Sequence, residues 1–267
     1  FMRLDSYLVG EKHFPSREKA SFAIKNGQVF VNGLCVKKAS FIIDGSKDEL
    51  LVQTDEVLPY VSVGGLKLEK AIRHFQLDFT NAKVLDIGSS TGGFTDCALQ
   101  HGAAHVTAVD VGTNQLDSSL RKHAKITLFE KMDFRDLAKS TSLSPDLDFV
   151  LSDLSFISMR KLMPFLPDFM NDKSFFIGLI KPQFEVGKDA IGRDGIVKNP
   201  EHHFKIIEEI IKEAKSFNLN LHNLVSAPIH DKKKNIEYLV LFSQQSTSRT
   251  VSVKSVVYGA IKQKSNL

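Results

Sequence analysis

The chain has 267 residues, 42% of them hydrophobic and 25% charged, which is ordinary for a soluble protein and enough for one large or two modest domains. No apolar run approaches the roughly 18–20 residues that span a bilayer, and no secretory signal is visible, so a cytoplasmic protein without a membrane span is expected. The net charge of +4 is carried by the first 40 residues, with seven basic side chains against three acidic ones. That asymmetry suggests a polyanion-binding head on a neutral body. Cys35 and Cys97 are far apart and lack metal-ligand spacing, so both read as buried thiols in a reducing compartment. The pair His202-His203 reads as helix surface, and no metal site is expected.

In chain order, Leu4 to Val9 has the spacing of a short helix. Ser16 is placed to cap a second helix that stops at Asn26-Gly27, with Arg17, Ser21 and Lys25 repeating every four residues on one face. Gln28 to Val31 alternates like a strand, Asn32-Gly33 is a hairpin turn, and Leu34 to Ile43 returns. A basic helical stripe beside a small sheet can grip a nucleic-acid backbone. The same spacing also describes a solvated face, and spacing alone does not choose. Residues 44–60 are acidic and polar and read as a linker, giving a head over 1–58, a body over 59–243 and a polar tail over 244–267 with a short helix near its end.

From Lys67 onward the pattern alternates helix and strand. Leu68, Ala71, Ile72 and Phe75 keep helical spacing. Strands follow at 83–87, 105–109, about 126–130, 147–152, 174–180, 219–226 and 236–242. The fold class is therefore α/β, a mostly parallel doubly wound sheet behind a small α+β head.

The first of those strands runs into Gly88-Ser-Ser-Thr-Gly-Gly-Phe94, and the second ends in Asp110. Glycines at a strand-to-helix turn admit a ligand to the bare backbone, and an acid roughly 20 residues on suits ribose hydroxyls. Ser90 stands where a dinucleotide fingerprint needs its second glycine, and Phe94 where a P-loop needs its lysine. A nucleoside cofactor without phosphates fits such a loop, and S-adenosylmethionine is the obvious one. Asp86, Gly88, Ser90, Gly92, Gly93, Phe94 and Asp110 are its candidate contacts. Asp133 is a further candidate, facing the adenine amine, although such an aspartate often only caps a turn.

Ligands of open α/β sheets sit beyond the carboxyl ends of the strands. Asp153 and Lys181 end two strands there, Glu237 opens another, and Lys67 lies in the first turn of the helix before the loop. Two lysines and two carboxylates beside apolar strands would neutralise one another. Lys67 alone reads first as an ordinary surface lysine, and Glu237 could be an edge-strand charge. Asp153 could also hold the cofactor's amino group.

Two resemblances add to this reading. Arg3-Leu-Asp, Ser16-Arg17 and Ile24-Lys-Asn-Gly-Gln-Val-Phe-Val-Asn-Gly33 resemble the S4 RNA-binding domain, which implies RNA contacts by Arg3, Ser16, Arg17, Lys19 and Lys25. The set Lys67, Asp153, Lys181 and Glu237 has the order of the Lys-Asp-Lys-Glu tetrad of FtsJ-type RNA 2′-O-methyltransferases. Gly64-Gly-Leu-Lys-Leu-Glu-Lys70, Ser89-Ser-Thr-Gly-Gly-Phe-Thr95, Asp153-Leu-Ser-Phe-Ile-Ser158, Ile180-Lys-Pro-Gln-Phe-Glu-Val-Gly187 and Asn235-Ile-Glu-Tyr238 resemble the TlyA (hemolysin A) family. That resemblance implies a Rossmann-like, S-adenosylmethionine-dependent methyltransferase acting on ribose in ribosomal RNA or ribosomal subunits, with no obligate protein partner. Rival expectations are a non-catalytic ribosome-binding factor and a membrane-active hemolysin. Base methylation is disfavoured because Asp153-Leu-Ser-Phe lacks a proline pair. Two departures stand out: Val63 replaces the family's usual arginine, and the turn before the last motif reads His230-Asp-Lys-Lys-Lys-Asn235.

Overall fold

The computed structural model describes residues 1–53, 58–139 and 146–267. They form two compact units, Phe1–Gly65 and Leu66–Leu267.

The first unit begins with β1 (Met2–Arg3), α1 (Leu4–Gly10) and α2 (Arg17–Lys25). Ser16 caps α2, its side chain accepting from Lys19 N at 3.2 Å. β2 (Val29–Val31) turns at Asn32-Gly33, both at positive φ, into β3 (Leu34–Cys35), with Val31 paired to Leu34. The expected return to Ile43 is broken. β3 has two residues, and β4 (Ile42–Ile43) pairs instead with β1. β5 (Leu50–Val52) then adds to the free side of β2, so part of the stretch read as a linker is a strand. Residues 54–57 of that stretch lie outside the described residues. Leu4, Leu8, Ala20, Ala23, Ile24, Val29, Val31 and Ile43 form the core. Cys35 is exposed, not buried, because β3 is the edge of a sheet ordered β3-β2-β5 and Cys35 lies on its open side.

The second unit is a seven-stranded sheet with helices packed on it. Its elements run α3 (Gly64–Phe75), β6 (Lys83–Ile87), α4 (Gly93–Gln100), β7 (His105–Asp110), α5 (Ser118–Arg121), β8 (Ile126–Glu130), α6 (Phe134–Leu137) and β9 (Phe149–Ser152). There follow α7 (Leu166–Phe169), β10 (Phe175–Ile180), α8 (Pro182–Glu185), α9 (Pro200–Ser216), β11 (Asn220–Ser226), β12 (Tyr238–Ser243) and α10 (Val253–Ser265). Strand order is β11-β12-β10-β9-β6-β7-β8. Only β12 runs against its neighbours, antiparallel to both β10 and β11. The central strands are buried on both faces, which is why they read as continuous apolar runs. α10, in the region read as a polar tail, buries Val253, Val257 and Ala260 against the main core.

His203 is a second correction. It lies on the inner face of α9, 1% exposed, not on the surface. Its Nε2 is 2.8 Å from the Val197 carbonyl and must donate to it, leaving Nδ1 to accept from Tyr238 Oη at 3.0 Å. Burial lowers the imidazole's pKa and raises that of the phenol, so both stay neutral.

Candidate active site

Sheet register explains how residues scattered over 170 positions meet. β6, β9 and β10 are parallel and in step, with Ile87 opposite Ser152 and Ser152 opposite Gly178. Their carboxyl ends therefore present the Gly88 loop, Asp153 and Lys181 on one edge. The reversed strand β12 delivers its amino end to the same edge, since Tyr238 pairs with Ile180 and the next residue back is Glu237. Lys67 comes from the first turns of α3.

The four charges form one cluster. Lys67 Nζ donates to Asp153 Oδ2 at 3.0 Å and to Glu237 Oε2 at 2.8 Å. Lys181 Nζ lies 2.7 Å from Asp153 Oδ1 and donates to Ser155 Oγ at 2.9 Å. Asp153 thus stands between two lysines, one on each oxygen. The side chains of Lys67, Asp153 and Glu237 are about one-fifth exposed, and that of Lys181 only 6%. Burial would push the Lys67 ammonium down, but Asp153 and Glu237 reverse this, and its pKa ends above the ordinary lysine value. Lys67 is therefore a fixed cation.

The glycine-rich loop sits beside this cluster. Gly88 and Gly92 have φ of 79° and 95°, where an L side chain is strained, and a Cβ on either would collide with a leucine. Ser90, where a dinucleotide loop carries glycine, itself adopts a left-handed φ of 48°. Its N–H donates to Asp110 Oδ2 at 2.8 Å, while Gly112 N donates to Asp110 Oδ1 at 2.7 Å. Asp110 is thus held by backbone on the turn opposite the loop, with lone pairs left for further donors. Asp86 is 1% exposed and accepts from Thr95, through its Oγ1 at 2.7 Å and through its backbone N–H. Its burial pushes the carboxyl up to about 7. It braces α4 from beneath. Phe94 is 4% exposed and also packs inward. Asp133 caps α6 and is gripped through both oxygens by Arg135, at 2.8 and 2.6 Å.

Side chains not singled out by the sequence complete the site. Ser89 Oγ is buried in the loop without a hydrogen-bond partner among the described residues. Gln183 Nε2 donates to Glu237 Oε1 at 3.3 Å. Phe156, two residues beyond Leu154, is 90% exposed at a φ of 65°, its ring 5.3 Å from that of Phe184. Glu185 closes the base: it accepts from Ser158 Oγ at 2.6 Å and Met159 N at 2.8 Å, with Arg160 at 3.7 Å. All lie within the quoted motifs. In Ser155-Phe-Ile-Ser158 nothing in the sequence marked Phe156 as exposed.

In the first unit, Asp5 is the hub. Arg3 donates to it through Nε and Nη2 at 3.0 and 2.8 Å, and Arg17 through Nη2 at 3.0 Å. These bonds hold the Asp5 carboxyl far below the usual range. Arg3 and Arg17 are brought together, Lys19 and Lys25 stand further along α2, and the Ser16 hydroxyl is engaged as the cap.

Residues 60–244 match the FtsJ-like methyltransferase family and residues 2–50 match the S4 domain. The chain is 39% identical over 241 residues to hemolysin A of Brachyspira hyodysenteriae, covering 90% of this chain and 99% of that protein. It is 34% identical over 255 residues to the 16S/23S rRNA (cytidine-2′-O)-methyltransferase TlyA of Mycobacterium tuberculosis, covering 95% and 94%. A solved structure from Streptococcus thermophilus, named as a hemolysin, superposes with a TM-score of 0.75 at 35% identity over 99% of this chain and 97% of that one. The chain therefore belongs to the FtsJ-like methyltransferase family, in the group that carries an S4 domain and includes TlyA and hemolysin A.

Proposed function

We propose that the protein methylates ribose 2′-hydroxyls of ribosomal RNA, using S-adenosylmethionine. The observation that carries this reading is the carboxylate of Asp153 set between Lys67 and Lys181, at 3.0 and 2.7 Å, with Glu237 on the far side of Lys67.

The residues present fit the cofactor. Asp110 is held by two backbone N–H groups and would accept from the ribose hydroxyls, and Ser89 offers a buried hydroxyl without a partner among the described residues. Asp133, already gripped by Arg135, has one acceptor site left on Oδ2 for an adenine amine. S-adenosylmethionine supplies an electrophilic methyl group. The chain's own residues have to supply a base, because a ribose hydroxyl is a poor nucleophile until its proton is removed during attack. Lys181 takes that role: it is the more buried amine, at a strand end. Asp153 holds both amines in place, one on each oxygen, and Glu237 holds Lys67 from its other side. Phe156 presents an exposed ring at the mouth on which an unstacked base can rest. The Arg3–Asp5–Arg17 group of the first unit serves as the RNA-backbone contact, with Lys19 and Lys25 beside it. The cytoplasm is the compartment proposed for this activity. Among the described residues no helix is long and apolar enough to cross a membrane.

Mapping ribosomal RNA methylation in cells with and without the protein identifies the target. RNA carrying one 2′-deoxy nucleotide at that target should then accept no methyl group from the purified protein. Methylation of the deoxy substrate would place the methyl on a base and overturn the reading.

A further inference from the structure

One concave pocket, of about 410 Å³, lies outside the charge cluster. The outer face of α3 forms one wall, with Glu69, Lys70, Arg73 and His74, and Pro228 and His230 form the other. It adjoins the active site through two links. Lys67, Lys70 and His74 fall at positions i, i+3 and i+7 of one helix, so they share a face, and a rise of about 1.5 Å per residue sets Lys70 ~4.5 Å and His74 ~10 Å along the axis from Lys67. On the other wall, Ala227 N donates to the Glu237 carbonyl at 2.8 Å, so the segment leading to Pro228 is tied to the residue that bonds Lys67.

The pocket's basic side chains, Lys70 and Arg73, outnumber its one lining carboxylate, Glu69, and that carboxylate is taken up by Arg73. Lys70 is half-buried, yet its bonding partner is the neutral Ser226 Oγ at 3.4 Å, and no carboxylate pairs with it among the described residues. Burial lowers its pKa with nothing acidic to offset it. His74 reports the same field, held below the ordinary histidine value by burial, Lys70 and Arg249. Arg73 has one acidic neighbour, Glu69, at 3.0 Å. Past His230 the chain continues into exposed Lys232, Lys233 and Lys234, the turn that departs from its family's pattern. A half-buried ammonium without a carboxylate is costly unless an anion completes it.

We propose that this pocket holds a backbone phosphate of the substrate RNA, next to the nucleotide being modified, with Lys70 as its central contact and the Lys232–Lys234 turn extending the track. The proposal rests on the reading of the protein as an RNA methyltransferase. Neutralising one phosphate of a single strand changes the slope of log affinity against log salt by about 0.7. Lys70→Met keeps the aliphatic stem and removes the charge, while Lys70→Arg keeps the charge.

The test uses the full chain with a twelve-nucleotide single-stranded RNA for binding, and ribosomal RNA from cells lacking the protein for turnover. Lys70→Met should flatten the salt slope by about 0.7 and raise KM for RNA about five- to tenfold at moderate salt. Its kcat and S-adenosylmethionine affinity should match wild type, its melting temperature should be no lower, and Lys70→Arg should restore slope and KM. An unchanged slope overturns the proposal, as does a fall in kcat at unchanged KM, which would assign Lys70 to the alignment of Lys67. If wild type transfers no methyl group but the slope still flattens, the methyltransferase reading fails and the phosphate site stands.

Discussion

Each unit of the molecule holds an aspartate gripped by two basic side chains, and the two groups are built to opposite ends. In the first unit Asp5 is 5% exposed while Arg3 and Arg17 are 47% and 59% exposed. The acid is hidden and the cations are displayed. In the second unit the Asp153 side chain is 20% exposed, Lys67 is 22% and Lys181 only 6%, so the cations are hidden too. Arginine does not give up its proton in proteins, and a displayed guanidinium pair aimed by a buried acid has the arrangement of an anion clamp, the role proposed for it. Lysine can exchange a proton once withdrawn from water. Residue type and burial together decide whether the same charge pattern binds or reacts.

The largest effect should come from the reactive group. Lys181→Ala should fold and bind both ligands, yet lose methyl transfer by roughly a hundred- to ten-thousand-fold in single-turnover assays. Wild-type rates would abolish the distinction between the two groups. Lys67→Ala should lose less and regain part of its rate as pH rises, because Asp153 then belongs to Lys181 alone. A pH–rate profile unchanged in shape would reduce Lys67 to packing.

A third buried aspartate sharpens the comparison through stability. Asp86 has the hydroxyl and N–H of one threonine for partners where Asp5 has two guanidiniums, and its carboxyl sits at about 7 against an ordinary 3.8. The folded state therefore holds a proton that the unfolded chain releases. Stability from this group is complete below about pH 3.8 and is lost as pH rises through about 7. Asp5 has the opposite sign: its pairing contributes above the ordinary carboxylate range and fades as pH falls below it. Asp86→Asn should remove a slope approaching ~1.4 kcal/mol per pH unit between those limits, read from denaturant midpoints across pH. A variant with the wild-type slope would mean that Asp86 is ionised in its pocket.

The smallest effect belongs to the clamp. Arg17→Ala should weaken RNA binding severalfold and flatten its salt dependence by about one contact, with cofactor binding untouched. Asp5→Asn should do nearly the same without removing a cation, because the arginines lose their aim. If Asp5→Asn binds RNA as wild type does, the acid is a core counter-ion and nothing more.

What could be read beforehand follows from this. The seven strands of the large sheet were legible because buried parallel strands are apolar runs bounded by turns, and the four charges at their ends because strand ends are where ligands sit. Strand β5 was not legible, since Leu50–Val52 is three residues in an acidic stretch and exists by pairing with β2. His203 looked like surface because its partners, Val197 and Tyr238, lie 6 and 35 residues away. Asp5 read as one acid among seven bases. The twelve-residue separation from Arg17 hides a contact that only packing α1 against α2 creates.

Glu185 ties the last of these features together. It sits four residues beyond Lys181 and binds Ser158 and Met159, which lie five and six residues beyond Asp153. The segments following β9 and β10 are therefore stapled to each other below the cleft, and through Arg160 to Glu209 and Glu213 on α9. Local opening of either segment has to break the same staple, so the two should open as one cooperative unit, their amides exchanging with solvent at matched free energies. The separation of Asp153 from Lys181 is thus a property of a single small body held from outside the cleft, set before any RNA arrives.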